Sequence, residues 1–155
     1  MQRNKIGVLI LAVLIIASAI FGWREYYRKN EPVVNMTPAF IVTAEQIVKE
    51  FEANDSVPAK KYTGKLIAVS GNIKQVDKDE QGYFTVVLGS EGSMSSVRCA
   101  MDSLYASDVQ TLQKGQPATI KGMFTGFQKD ESGLLGSDII LNRCVIYKTQ
   151  TKKQD

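Results

Sequence analysis

A mainly β fold, a five-stranded Greek-key barrel, is predicted by three observations. The spacing of apolar residues changes from the helical period of about 3.6 to the strand period of about 2 after Gly64. The elements then run helix, three strands, helix, two strands. Glycines also fall inside the long strands, where a small coiled barrel has to bend.

The first element is a candidate membrane helix. Ile6 to Trp23 is an 18-residue run without a charge, and fifteen of its residues are apolar. A helix of that length rises roughly 27 Å, close to the hydrocarbon thickness of a bilayer. Trp23, Tyr26 and Tyr27 follow at its end, where aromatic rings favour the interface. A cleaved signal peptide is the rival reading, with Ala17-Ser18-Ala19 as the cleavage site. The run continues without a polar break through Ile20, Phe21 and Trp23, which favours an uncleaved anchor. Orientation is nearly balanced. Arg3 and Lys5 precede the run, and Arg24, Arg28 and Lys29 follow it. A very short tail ahead of a first apolar segment favours the inside, which places the C-terminal domain outside the cytoplasm.

The expected organisation is a tail at 1–5, a transmembrane helix at 6–23, a juxtamembrane linker at 24–40, a barrel domain at 41–148 and a polar tail at 149–155. Within the linker, Pro32 and Pro38 frame a stretch with no periodicity, and prolines stiffen such a stretch into an extended spacer.

An amphipathic helix follows. Thr43 and Gln46 fit a capping box, and Ile47, Val48 and Phe51 share one face. Asn54 and Asp55 close it, and Pro58 marks a break. Lys65 to Val76 reads as the first barrel strand, with Gly71 as a bulge or bend. Tyr83 to Gly89 is the second, alternating Phe84, Val86 and Leu88 against Tyr83, Thr85 and Val87. Met94 to Asp102 is the third, with Val97, Cys99 and Met101 opposite Arg98. Ser103 to Lys114 reads as a helix between the third and fourth strands, from Tyr105, Val109 and Leu112, with Gly115 as its stop. Gln116 to Gln128 and Ile139 to Lys148 complete the set. This order is the plan of the OB-fold, a five-stranded, partly open Greek-key barrel. An α+β sandwich is the alternative.

Several segments resemble one family. They are Lys61-Tyr62-Thr63-Gly64-Lys65 with Val69-Ser70-Gly71, Val86-Val87-Leu88-Gly89, Val97-Arg98-Cys99, Leu112-Gln113-Lys114-Gly115-Gln116 with Lys121-Gly122, and Leu141-Asn142-Arg143-Cys144. In order and spacing they resemble the tRNA-anticodon-binding-like (tRNA_anti-like) OB-fold family of small bacterial membrane-associated proteins. The resemblance covers roughly 41–147. It implies the fold and a membrane or envelope setting, but no ligand and no catalytic residue. Fold alone does not assign function.

Composition excludes more than it suggests. There is no His, so Ser-His-Asp and Cys-His catalysis and His-containing zinc sites are ruled out. Two Cys are too few for a Cys-only structural zinc site. No P-loop, dinucleotide or G-x-S-x-G pattern occurs. The expectation is a non-enzyme with no cofactor and no metal. Asp77-Lys78-Asp79-Glu80-Gln81-Gly82 partly matches a calcium loop, but Leu88 stands where a bidentate Glu is needed, so a hairpin turn is the better reading.

An OB-fold that binds nucleic acid combines a basic groove with stacking aromatics. The candidates are Tyr83 and Phe127 for stacking, with Arg98, Lys78 and Lys129 for charge. Both flanking loops carry a net −2, from Asp77, Lys78, Asp79 and Glu80 in one and Lys129, Asp130, Glu131 and Asp138 in the other. A polyanion would meet acid at both ends. The whole chain is +3, yet Met1 to Asn30 holds five bases and one acid, and the remainder is net −1. The basic excess belongs to the flanks of the anchor. The expected partners are therefore the bilayer, through Ile6–Trp23, and an envelope protein, peptide or glycan, with a monomeric domain. Single-stranded nucleic acid or tRNA is the alternative.

Cys99 and Cys144 lie on the third and fifth strands, which are neighbours in this fold. Two readings stay open. One is a disulfide closing a loop of about 45 residues, worth roughly 3–4 kcal/mol by loop entropy. The other is a pair of buried free thiols.

Overall fold

The computed structural model describes residues 32–130, 132 and 136–148, together with Ala17, Ser18 and Ile20. The chain divides into two compact units, Met1–Glu31 and Pro32–Asp155. In the first, Ala17, Ser18 and Ile20 are helical and exposed. The rest of the expected span Ile6–Trp23 lies outside the described residues, as does the tail at 149–155. Among the described residues no helix is long and apolar enough to cross a membrane.

The second unit is a barrel. Its strands are β1 (Phe40–Thr43), β2 (Leu66–Lys78), β3 (Phe84–Leu88), β4 (Ser96–Met101), β5 (Pro117–Gln128) and β6 (Asp138–Ile146). The sheet order is β1-β2-β3-β4-β6-β5, and β5 pairs back onto β2, which closes a five-stranded circuit from β2 to β6. β4 and β6 are parallel and the other barrel pairs antiparallel, the Greek-key arrangement expected of an OB-fold.

β2 closes the circuit because it is long. Leu66 to Asn72 pairs β5, and Ile73 to Lys78 pairs β3. Gly71 sits at this handover, where a Cβ would come within 3.0 Å of the Ala44 methyl. The glycine lets the helix that follows β1 approach the strand. Inward residues alternate as the strand period requires. Ile67, Val69, Val86, Leu88, Val97, Cys99, Ile139 and Leu141 are fully buried in one core.

Helix α1 (Ala44–Ala53) starts where the sequence places it. The Thr43 side chain accepts a hydrogen bond from the Gln46 backbone N–H at 3.1 Å. The Gln46 side-chain amide is turned along the helix, its Nε2 donating to Glu50 Oε1 at 3.4 Å. Ile47, Val48 and Phe51 enter the barrel core, so α1 packs its apolar face onto the interior.

Four local expectations are corrected. Phe40–Thr43 is an additional short strand, parallel to β2, with Phe40 opposite Ile67 and Thr43 opposite Ser70. Ser56–Tyr62 is a helix, α2, despite Pro58. Proline is tolerated in a first turn because the N–H groups there have no intrahelical partner. The expected helix Ser103–Lys114 shrinks to a 3-10 turn, Ser103–Tyr105, and one α-turn, α3 (Ala106–Val109). The chain is then drawn back to β2, where Gly115 N–H donates to the Ile73 carbonyl at 2.8 Å and Ile73 N–H to Gln116 at 2.9 Å.

The last correction concerns the linker. Val33–Asn35 forms a 3-10 turn rather than an extended spacer, and Val33 is 1% exposed. It packs with Leu66 and Val145 in a second, outer cluster. Lys121 on β5 fastens this strap. Its Nζ donates to the carbonyls of Val34, at 3.0 Å, and Met36, at 2.6 Å. It also lies 5.1 Å from the Tyr147 ring centroid.

Candidate functional site

The outer face of the barrel follows from the same alternation. Gln75 lies opposite Val87, Asp77 opposite Thr85, Thr85 opposite Ala100, and Val87 opposite Arg98. Arg98 is in turn opposite Ile140 on β6. These outward residues mix polar, charged and aliphatic groups, with no aromatic ring among them. The β2–β3 and β5–β6 loops flank it at opposite ends of β4, since Ser96 registers with Asp138 and Thr85 with Ala100.

The five binding candidates divide between those two ends. Tyr83 and Lys78 belong to the β2–β3 hairpin. Tyr83 is 52% exposed, and Lys78 Nζ lies 5.4 Å from the Phe84 ring centroid. Asp79 organises the turn, its carboxylate accepting from the N–H groups of Gln81, at 2.9 Å, and Tyr83, at 2.8 Å. This is turn chemistry, with the Asp side chain mimicking a backbone acceptor. Among the described residues no cluster of three or more Cys, Asp or Glu could hold a metal ion.

At the other end, Arg98 pairs with Asp138 at 3.5 Å across β4 and β6. Asp138 also accepts from the Ser96 hydroxyl at 2.6 Å. Lys129 is exposed just beyond β5. Phe127 is placed differently. Its ring lies 4.8 Å from that of Phe51, which stacks on Phe124 at 5.4 Å and on Tyr62 at 6.2 Å. Phe127 therefore belongs to an aromatic layer beneath α1, packed against the core.

Serine hydroxyls hold the loops at this end. The Ser95 hydroxyl donates to Glu52 of α1 at 2.6 Å and accepts from Ser137 N–H at 3.0 Å. Ser90 donates to Glu45. Gly136, at φ +78°, packs directly on the Met94–Ser95 backbone, where any Cβ would collide. These bonds join α1, the β3–β4 loop and the β5–β6 loop.

A groove of about 400 Å³, lined by polar and apolar groups in nearly equal measure, opens beside the first turn of α1. Thr43, Glu45, Ser70, Asn72, Ser90 and Thr119 line it over a floor that includes Gly71 and Gly89. Hydroxyl and amide groups beside the Glu45 carboxylate, with apolar wall from Ala44, Pro117 and Ala118, suit a hydrogen-bonding ligand that is not an anion. In the sequence Thr43 is marked only as a helix cap, and Ser70, Gly71 and Gly89 as parts of the family segments, so none is marked as a binding residue. They come from separate elements and share no motif, so only the register of β2 on β5 and the docking of α1 bring them together.

Buried charge is sparse. Lys121 is 3% exposed and has backbone carbonyls as its hydrogen-bond acceptors, so burial lowers its pKa from the usual lysine value. Burial also pushes the Cys144 thiol well up, and the neighbouring Cys99 thiol adds to the effect.

Among solved structures, the chain is similar to a Klebsiella pneumoniae lipoprotein to which nucleic-acid binding is provisionally ascribed. The two are 22% identical with a TM-score of 0.55, over 69% of this chain and 91% of the lipoprotein. It is similar at a lower level to OBody AM3L09, solved bound to hen egg-white lysozyme, at 15% identity and a TM-score of 0.42, over 57% of this chain and 86% of that one. Asparaginyl-tRNA synthetase from Pyrococcus horikoshii matches at 10% identity and a TM-score of 0.37, over 57% of this chain but only 20% of the synthetase. No curated protein matches significantly. The lipoprotein likeness shows the OB-fold. A family profile extends further and matches residues 1–139, taking in the N-terminal segment, α1, the strap and β1 to β5. On that match, and on the closed five-stranded barrel, this chain belongs to the tRNA_anti-like family.

Proposed function

We propose that this protein is a membrane-tethered, non-catalytic OB-fold binding module of the bacterial cell envelope. Ile6–Trp23 is its single-pass anchor, and the barrel stands on the extracytoplasmic, periplasmic side. Its ligand is a protein, a peptide or a glycan. The observation that carries the reading is the state of the β3–β4 face. That face has no aromatic ring within its strands, its Arg98 is paired with Asp138, and acidic loops flank it. Nucleic-acid-binding OB faces need stacking rings and unneutralised bases. The groove beside α1 offers hydroxyl, amide and carboxylate groups instead. The lipoprotein likeness is in keeping with an envelope setting.

A second reading, binding of single-stranded nucleic acid or tRNA, has one observation in its favour. Tyr83 presents a half-exposed ring beside Lys78 at the edge of the face. Fluorescence anisotropy of labelled single-stranded RNA and DNA separates the two. The expected result is no shift at physiological salt. A shift that weakens steeply as salt rises would replace the first reading with the second. A topology reporter fused at the C-terminus tests the placement, and cytoplasmic activity of the reporter would reject it.

A further inference from the structure

The two cysteines of the chain are placed by a specific irregularity. On β6, Leu141 and Cys144 are both fully buried in the barrel core. They are three residues apart, and a regular strand would send them to opposite faces. The β4–β6 ladder breaks between them. Cys99 registers with Leu141, but Met101 registers with Cys144. Two residues, Asn142 and Arg143, therefore face the single residue Ala100, and Arg143 adopts φ 54°. This bulge rolls Cys144 back inward. Its sulfur fills the space left by the missing side chain of Gly122 on β5, and it faces Cys99 on the neighbouring strand.

We propose that Cys99 and Cys144 are a disulfide-forming pair, closed by thiol–disulfide exchange in an oxidising compartment, and that the bridge spans β4 and β6 at the bulge. In the structure both are free thiols. The chemistry requires a disulfide oxidant, either a small-molecule disulfide or an oxidised dithiol protein. One cysteine loses its proton and attacks that disulfide, forming a mixed disulfide and releasing one thiol. The second cysteine then loses its proton and attacks the mixed disulfide. The Cys99–Cys144 bond forms, a second thiol leaves, and two electrons have passed to the oxidant.

Two features decide when this happens. Both cysteines are 0% exposed, so exchange takes place before the barrel closes or during its opening. The cysteines are diagonal rather than directly opposed, Cys144 registering with Met101 two residues beyond Cys99. Strands about 4.8 Å apart with a rise of about 3.3 Å per residue would hold such Cα atoms roughly 8 Å apart in a regular ladder, beyond the usual disulfide span of roughly 4.4–6.8 Å. The broken ladder at Asn142–Arg143 is where the backbone can yield to close that gap.

Oxidation in the cell rests on the extracytoplasmic placement proposed above, so the test has two arms. Trypsin cuts after Arg98, Lys114, Arg143 and Lys148, releasing Cys99 in the peptide 99–114 and Cys144 in 144–148. In the first arm the full chain in detergent is unfolded, reduced and refolded in a glutathione–glutathione disulfide buffer. In the second it is taken from native membranes with thiols blocked at lysis. Mass spectrometry without reductant should show the two peptides joined in both arms, and separated after reduction. Joined peptides in the buffer with free thiols from membranes, alongside a cytoplasmic topology reporter, would support the pair and overturn the placement. Free thiols from membranes with an extracytoplasmic reporter would overturn the proposal. So would separate glutathione adducts or free thiols in the buffer arm.

Discussion

The Nζ of Lys121 lies 2.6 Å from the carbonyl oxygen of Met36, 85 positions away in sequence. A lysine in the middle of a barrel strand therefore holds the approach to the barrel against its outer wall. Removing the amine leaves the Val34 and Met36 carbonyls without this donor. Lys121→Ala should cost about 1–3 kcal/mol in urea unfolding. It should also make the amides of 33–36 exchange faster than those of β5. Unchanged exchange in the strap would reject the fastening role.

The same lysine has a pH signature. Burial lowers its folded pKa from 10.5, so the unfolded chain holds the proton more tightly. Stability then rises with pH between the depressed folded value and 10.5. Lys121→Met removes the titrating group while keeping a long stem. The unfolding free energy of the wild type minus that of this variant should climb across the alkaline range. A falling difference would contradict the assignment.

Glu50 and Tyr62 join α1 to α2. The Tyr62 hydroxyl donates to Glu50 Oε2 at 2.9 Å, and Lys61 Nζ donates to the same oxygen at 3.2 Å. Burial works to raise the Glu50 pKa, but the bonds from Tyr62 and Lys61 outweigh it, and the net shift is downward from 4.5. Stability from this contact is complete above 4.5 and is lost as pH falls through the lower folded value. Tyr62→Phe should cost about 1 kcal/mol at neutral pH by denaturant titration. It should cost less at strongly acidic pH, where Glu50 is protonated. An equal cost at both would show that packing, not the bond, carries the effect.

Gly122 gives a packing test. A methyl group there would press on Cys144 Sγ and lie 3.2 Å from Leu141 Cβ. Gly122→Ala should destabilise the domain by about 1–3 kcal/mol. Adding Cys144→Ala removes the obstructing sulfur, so the double variant should be more stable than the sum of the two single effects. Strict additivity in thermal or denaturant unfolding would count against this contact.

What could be read in the sequence tracks the strength of local pattern. Val97, Cys99 and Met101 against Arg98 announce β4, because their alternation fits a half-buried strand and no helical period. Thr43 announces α1 because a hydroxyl cap leaves a sequence mark. β1 escapes notice because only Val42 of its four residues is buried. The strap escapes because Val33 packs on Leu66 and Val145 while the Val34 and Met36 carbonyls accept from Lys121, all distant in sequence. Phe127 reads from sequence more readily as a barrel-rim packing aromatic than as a stacking one, and with α1 docked its ring lies 4.8 Å from that of Phe51. The bulge at Arg143 leaves no sequence mark, since arginine has no preference for positive φ.

The last strand among the described residues is not at an edge. β6 sits between β4 and β5, and β5 alone returns to β2. While synthesis or translocation delivers the chain from its N-terminus, β2, β3 and β4 emerge with their inner faces uncovered. No intermediate length completes the wall, so commitment comes only once Ile146 is free to pair with Ile120. Cutting the chain before β6 would thus delete the folded state itself and leave the four remaining barrel strands as an open sheet, its apolar face suited to capture by a holding chaperone.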